Sequence, residues 1–222
     1  MMRSCTPFLF AAIVATLAVW TAAPTSIAAD AALSHTQALH DLSDTDASHR
    51  RAAVVRLGEV GEMSDAKALV AKLKDEDKAT RGLAEESLWK IWSRSGDRRV
   101  DALYERGVDE MSSGSLDKAI ATFTRIIEMR PEFAEAWNKR ATLYFMAGDY
   151  EKSLADCEEV MKRNPLHFGA LAGYFQIYVA LEDFERAVRY GRRALDINPN
   201  MEGIRQGVEA LERKLGTTRR SA

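Results

Sequence analysis

"AEAWNKRATLYFMAGDYEKSLADCEEVMKRNP", residues 134–165, gathers Trp137, Tyr144, Tyr150, the pair Gly148-Asp149, Cys157 and Pro165 into one short segment. Such a set is either the material of a reaction centre or the packing marks of a repeated unit. The prolines decide. Pro131, Pro165 and Pro199 are separated by 165 − 131 = 34 and 199 − 165 = 34 residues, the period of a stacked helix-turn-helix unit. With each proline as position thirty-two, the units run 100–133, 134–167 and 168–201. Position four is then Leu103, Trp137 and Leu171, and position eleven is Glu110, Tyr144 and Tyr178. Residues that return in register hold helices together, so the segment reads as a repeat core.

The rest of the pattern moves with the prolines. "SGSL" (113–116), "AGDY" (147–150) and "LEDF" (181–184) occupy the turn inside each unit, where Gly or Asp leaves the helical conformation at low cost. Small residues stand where two helices cross, Gly107 with Ala119 and Ala141 with Ser153. This set resembles the tetratricopeptide repeat (TPR) family, with its W-x2-L-G-x2-Y, A-x3-F and P marks, over roughly half of the chain. The resemblance implies an all-α fold, a right-handed α-solenoid of helix-turn-helix repeats. Two departures stand out. Glu110 replaces the position-eleven tyrosine of the first unit, and the third unit has Phe175 and Gly191 where the family has a small and a bulky residue. The second departure is expected to conserve volume, the phenylalanine filling what the glycine vacates.

After Pro199, Ile204, Val208, Leu211 and Leu215 form one apolar stripe, which reads as a capping helix over 202–216. Gly203 and Gly207 suit close backbone approach, and 217–222 reads as a disordered tail.

Before the TPR region, residues 30–97 repeat at 31 residues. Leu42 falls on Leu73, Asp44 on Asp75, Asp46 on Asp77, Arg50 on Arg81, Ala53 on Ala84 and Leu57 on Leu88. This resembles two short HEAT-like units, each a helix, a D-x-D turn and a second helix whose arginine pairs locally. Two units close a core poorly, so the array is expected to continue directly into the TPR stack. Trp89 and Trp92 lie at that junction, opposite Gly58 and Gly61 of the first copy, and are expected to fill the gaps between unlike repeats.

The chain begins with Arg3, an apolar run from Phe8 to about Ala23 and then small residues, the layout of a secretory signal peptide over 1–29, cleaved after Ala28 or Ala29. The competing reading is an uncleaved anchor. The expected location is the periplasm, with no stable membrane insertion after cleavage. Cys157 is then the one cysteine of the mature chain, so no intramolecular disulfide is expected. With 31 basic and 33 acidic residues and a net charge of −2, the composition offers no net attraction to nucleic acid.

Nothing in the sequence assembles a reaction centre. His35, His40, His49 and His167 lack paired-ligand spacing, no phosphate-cradling glycine loop or G-x-S-x-G is present, and Glu85-Glu86 and Glu158-Glu159 are consecutive and splay around a helix. No catalytic residue, cofactor or metal is expected. The TPR resemblance instead implies a concave groove lined by the first helix of each unit, here Tyr104, Val108, Asn138, Lys139, Thr142, Phe145, Met146, Gln176 and Val179, which would receive a protein or peptide partner. The bland alternative is that several of these only pack between repeats. TPR domains that clamp a chaperone's C-terminal carboxylate carry Lys, Asn and Arg where this chain has Tyr104, Val108, Lys139, Gly169 and Gly173, so that clamp is not expected. A second reading makes the protein a structural subunit of an envelope complex, docked through its convex face or the Trp89/Trp92 junction.

Overall fold

The computed structural model describes the backbone of residues 32–221 and the side chains of 32–216. The expected signal segment lies outside the described residues, as do the side chains of Arg219 and Arg220. The described chain folds into eleven α-helices: α1 (His35–Asp41), α2 (Ala47–Val60), α3 (Ala66–Lys72), α4 (Lys78–Trp92), α5 (Arg98–Ser112), α6 (Leu116–Met129), α7 (Ala134–Met146), α8 (Tyr150–Arg163), α9 (Phe168–Ala180), α10 (Phe184–Ile197) and α11 (Glu202–Ser221). A 3-10 turn, Met63–Asp65, precedes α3.

Helices α5 to α10 form three antiparallel pairs at the 34-residue period, stacked as an α-solenoid. Gly114 and Gly148 take φ of +75° and +78° in the turns of the first two pairs, a conformation that costs glycine little. In the third turn a non-glycine, Glu182, takes it at +58°. Inside the stack Arg140 on α7 forms a bidentate pair with Asp156 on α8 (2.8 and 2.9 Å) and also donates to Thr124 on α6 (3.0 Å), tying three helices together. Glu110, in the tyrosine position, accepts from Thr122 Oγ1 (2.6 Å) and Arg106 (2.8 Å), so a polar bridge to α6 replaces aromatic packing in the first pair.

The third pair bears out the exchange of volume. A Cβ on Gly191 would lie 2.8 Å from the Phe175 ring and 2.4 Å from Val208, and one on Gly207 would lie 2.7 Å from the same ring. Phe175 therefore occupies the space of two missing side chains on α10 and α11. Gly203 meets nothing within 4 Å and has no such role. Ile204 and Val208 of α11 are buried over the third pair. The helix does not stop at residue 216, since no glycine or proline follows Gly216. Residues 217–221, expected as a tail, continue it.

The first four helices repeat chemically as well as in sequence. Asp46 and Asp77 cap α2 and α4, accepting from Ser48 and Thr80 N–H (2.7 and 2.8 Å), while Asp44 and Asp75 accept from the N–H of the capping residue (2.7 and 3.0 Å). Arg50 holds the carbonyls of Asp44 and Thr45, and Arg81 those of Asp75 and Glu76. Arg50 then reaches across to the Asp75 carboxylate (2.9 and 3.0 Å). Arg81 has no third copy to reach; it donates to Asn200 Oδ1 (3.0 Å), and Asn200 Nδ2 donates back to Leu73 O (2.8 Å).

That exchange corrects the expected path of the stack. The chain does run from α4 into α5, but the free face of α3 and α4 closes on the loops between distant repeats. Phe168 is part of the same core as Leu69, Leu73, Leu88 and Trp92, with Ile197 and Met201 packed against it. Trp92 stacks on His167 (4.5 Å, 22°), and Trp89 meets His167 and Phe168 edge-on. The paired tryptophans fill gaps as expected, but against a segment some 75 residues further on (167 − 92 = 75).

Candidate protein-binding groove

The first helices of the second and third pairs, α7 and α9, stand side by side with a cleft of about 100 Å³ between them, lined by Asn138, Thr142, Phe145, Gly169, Ala172, Gly173 and Gln176. Four of the nine residues expected in the groove therefore share one cleft: Asn138, Thr142, Phe145 and Gln176. Gly169, Ala172 and Gly173 give its α9 side no bulk, which lets a ligand backbone come close. Gln176 and Thr142 are exposed and Phe145 half-buried. Met146 is 52% exposed at one end. Val179 is half-buried against the core of the third pair, and Val108 against that of the first.

The other end is occupied from within. A Cβ on Gly169 would lie 2.6 Å from Trp89, and the Lys139 ammonium sits 5.9 Å from the Trp89 ring centre. Tyr104, expected in the groove, is buried: its ring packs on Phe123 and Phe133, and its hydroxyl lies 3.3 Å from Ser93 Oγ and 3.4 Å from Glu135. Burial, with the Glu135 charge beside it, pushes its phenol well above the usual range. Its ring and hydroxyl contacts commit Tyr104 to the fold.

Beneath this end lies a polar network that the sequence reading missed. Glu135 is fully buried and receives His167 Nε2–H (2.8 Å), Asn138 Nδ2 (3.1 and 3.2 Å), Lys139 Nζ (3.2 Å) and Tyr104 Oη (3.4 Å). Asn138 is thus oriented by Glu135 while still lining the cleft. Ala170 N–H donates to His167 Nδ1 (3.0 Å), so His167 caps α9 through Nδ1 and carries its proton on Nε2. The other histidines pair with Asp65, Asp41 and Asp44. Burial alone would raise the Glu135 carboxyl, but the bonds from His167 and Lys139 outweigh it and hold the group below its ordinary 4.5.

Cys157 reaches the floor of the cleft, its Sγ 3.4 Å from where a Gly173 Cβ would stand. Burial, and the charge of Asp156, push its thiol up to about 12, so it carries little thiolate at neutral pH and packs as a small hydrophobe. Among the described residues no group of three or more His, Cys, Asp or Glu is placed to hold a metal, and no helix is long and apolar enough to cross a membrane.

Comparison with known proteins agrees with this geometry. Residues 104–160 and 147–202 match a family model described as tetratricopeptide repeat. A TPR repeat-containing protein of Rhizobium etli is 32% identical over 128 residues, covering 58% of this chain and 63% of that protein. Tetratricopeptide repeat protein 12 of Homo sapiens is 28% identical over 103 residues, 46% of this chain but 15% of its own length. The chain thus spans less than two thirds of either relative. Among solved structures, the first TPR of Spaghetti (RPAP3), bound to the HSP90 peptide SRMEEVD, superposes with a TM-score of 0.51 at 22% identity, covering 53% of this chain and 93% of that one. That likeness is one of fold.

Proposed function

We propose that residues 104–202, which match tetratricopeptide repeats, modules that generally mediate protein–protein interaction, make this protein a non-catalytic periplasmic scaffold that holds a peptide or protein segment between α7 and α9. The α7–α9 cleft carries the proposal: it joins an amide and a hydroxyl (Gln176, Thr142) to an apolar edge (Phe145) over a floor of Gly169, Ala172 and Gly173. An extended or helical segment needs that combination, polar groups for its backbone and an apolar recess for one anchor. A solved TPR neighbour holding a chaperone peptide supports the mode of binding. The ligand here is of a different kind, because Gly169 and Gly173 leave α9 without the cations that hold a carboxylate terminus in the groove. Docking through the tryptophan junction is disfavoured, since Trp92 is 3% exposed and its ring is stacked on His167.

The test is capture of the native partner from envelope extracts by wild type and by Phe145→Ala/Gln176→Ala. The double variant should retain its helical content and lose capture, while Arg125→Ala, on the exposed face of α6, should retain both. Loss of capture in Arg125→Ala alone would move the binding surface away from the cleft. Export is tested by N-terminal sequencing from the native host: the mature chain should begin within a few residues of Asp30, and recovery of intact Met1 in membranes would replace the periplasmic protein with an anchored one.

A further inference from the structure

A second recess, of about 230 Å³, opens on the edge where the N-terminal helices meet the loops between repeats, lined by Met63, Trp92, Arg94, Arg130, Phe133 and Asn164 among others. Two donors here are buried and unpartnered: the Trp92 indole N–H and the Asn164 amide nitrogen, on side chains 3% exposed each. Arg130 Nε lies 3.0 Å from Glu132 but out of line for a hydrogen bond. A buried donor without an acceptor is costly, and here several such donors line one recess. Arg94 and Arg130 against the carboxylate of Glu132 leave a local balance of 2 − 1 = +1, the third guanidinium, Arg163, being paired with Glu159 (2.5 Å). The recess also includes the start of α7, whose capping residue Phe133 offers no side-chain acceptor. Asn198 repeats the orphan amide one unit later, so the amide alone makes no site; the company of Trp92 and three arginines sets Asn164 apart.

We propose that this recess is a second binding site, independent of the groove reading, that takes a carboxylate carried on a small apolar body. The acceptor follows from the donors, because indole, amide and guanidinium N–H groups all seek an oxyanion. The apolar body follows from the walls: Met63, Trp92 and Phe133 would gain nothing from a bare inorganic ion, which would leave most of the volume unfilled. Arg94 is held in place by the carbonyls of Glu59 and Gly61 (2.5 and 2.8 Å), and Arg130 by that of Ser95 (3.1 Å), so these cations stand ready before a ligand arrives. The source of the carboxylate is a polypeptide C-terminus or a free small acid.

The test follows the Trp92 indole N–H resonance of the full-length protein, assigned by its disappearance in Trp92→Phe, with the Trp137 indole, which donates to Pro131 O at 2.9 Å, as internal control. N-acetyl-leucine should shift it saturably and N-acetyl-leucinamide should not. Arg130→Gln should weaken binding about tenfold or more, the usual loss for a charge-assisted bond, and Asn164→Asp, which keeps the acceptor for Leu166 N–H, should abolish it. A shift with N-acetyl-leucine but not with isovalerate assigns a chain terminus, and an equal shift with both assigns a free small acid; either supports the site. An indole that stays still with both acids at tens of millimolar, well above a millimolar Kd, overturns the proposal. So does an equal response to inorganic phosphate.

Discussion

Glu135→Gln changes one atom of the buried network and leaves its volume alone. The carboxylate receives donors on both oxygens: His167 on one, Lys139 and Tyr104 on the other, Asn138 between them. Glutamine keeps one acceptor and turns an NH₂ group toward the remaining donors whichever way it lies. At least one buried donor then loses its acceptor, at about 1–3 kcal/mol, and the Lys139 ammonium loses its counter-charge, so the whole change should cost about 3–5 kcal/mol, as for a broken buried pair. For a chain of this size that is a fall in Tm of about 6–20 °C. Urea unfolding followed by helical circular dichroism gives the same quantity as a shift in midpoint. The pH dependence is a second arm. The folded Glu135 carboxyl lies below its unfolded value of 4.5, so its stabilisation is fully present above about pH 4.5 and is lost as pH falls through the lower folded value. The gap between wild type and variant should therefore narrow on acidification. A variant within about 1 kcal/mol of wild type at neutral pH would refute the network.

The junction gives the second prediction: Trp89→Ala with Trp92→Ala should cost several kcal/mol, roughly 3–5 per buried ring, and split unfolding into two transitions as the N-terminal helices detach; one melt at the original temperature would refute it. Glu182→Gly should raise stability by about 0.5–1 kcal/mol, because it removes a left-handed non-glycine residue, and a loss in urea midpoint would contradict that. Cys157 should resist iodoacetamide in the native protein at pH 8 and label fully in guanidinium, as mass spectrometry of its peptide would show; rapid native labelling would place the thiol in solvent.

The repeats were legible because their signals are local and periodic. The prolines at 131, 165 and 199, the turn glycines 114 and 148, and the Asp44/Asp46 and Asp75/Asp77 turns each act on their own neighbours, so their spacing carries the fold. The Phe175/Gly191 exchange was legible for the same reason, since repeat register says which side chains face one another. What escaped was packing between segments that no period relates. Nothing in "SLWKIW" (87–92) announces that its tryptophans meet His167 and Phe168, and without that contact Tyr104 reads as a groove residue and Glu135 draws no notice. The groove itself was half legible: the TPR resemblance put Asn138, Thr142, Phe145 and Gln176 on one side, but the closure of its other end by Trp89 depends on the fold-back of α4. The terminal helix outran its expected end because the tail composition says little against helix when no glycine or proline follows Gly216.

The central claim is that the open part of the α7–α9 cleft holds a polypeptide segment, and site-specific photo-crosslinking in the native host tests it most directly. A benzophenone side chain placed at Gln176 or Met146 should yield one discrete adduct with a protein, and the same group at Arg125 of α6 should yield none. Adducts from Arg125, with Gln176 and Met146 silent in a correctly folded protein, would contradict the account.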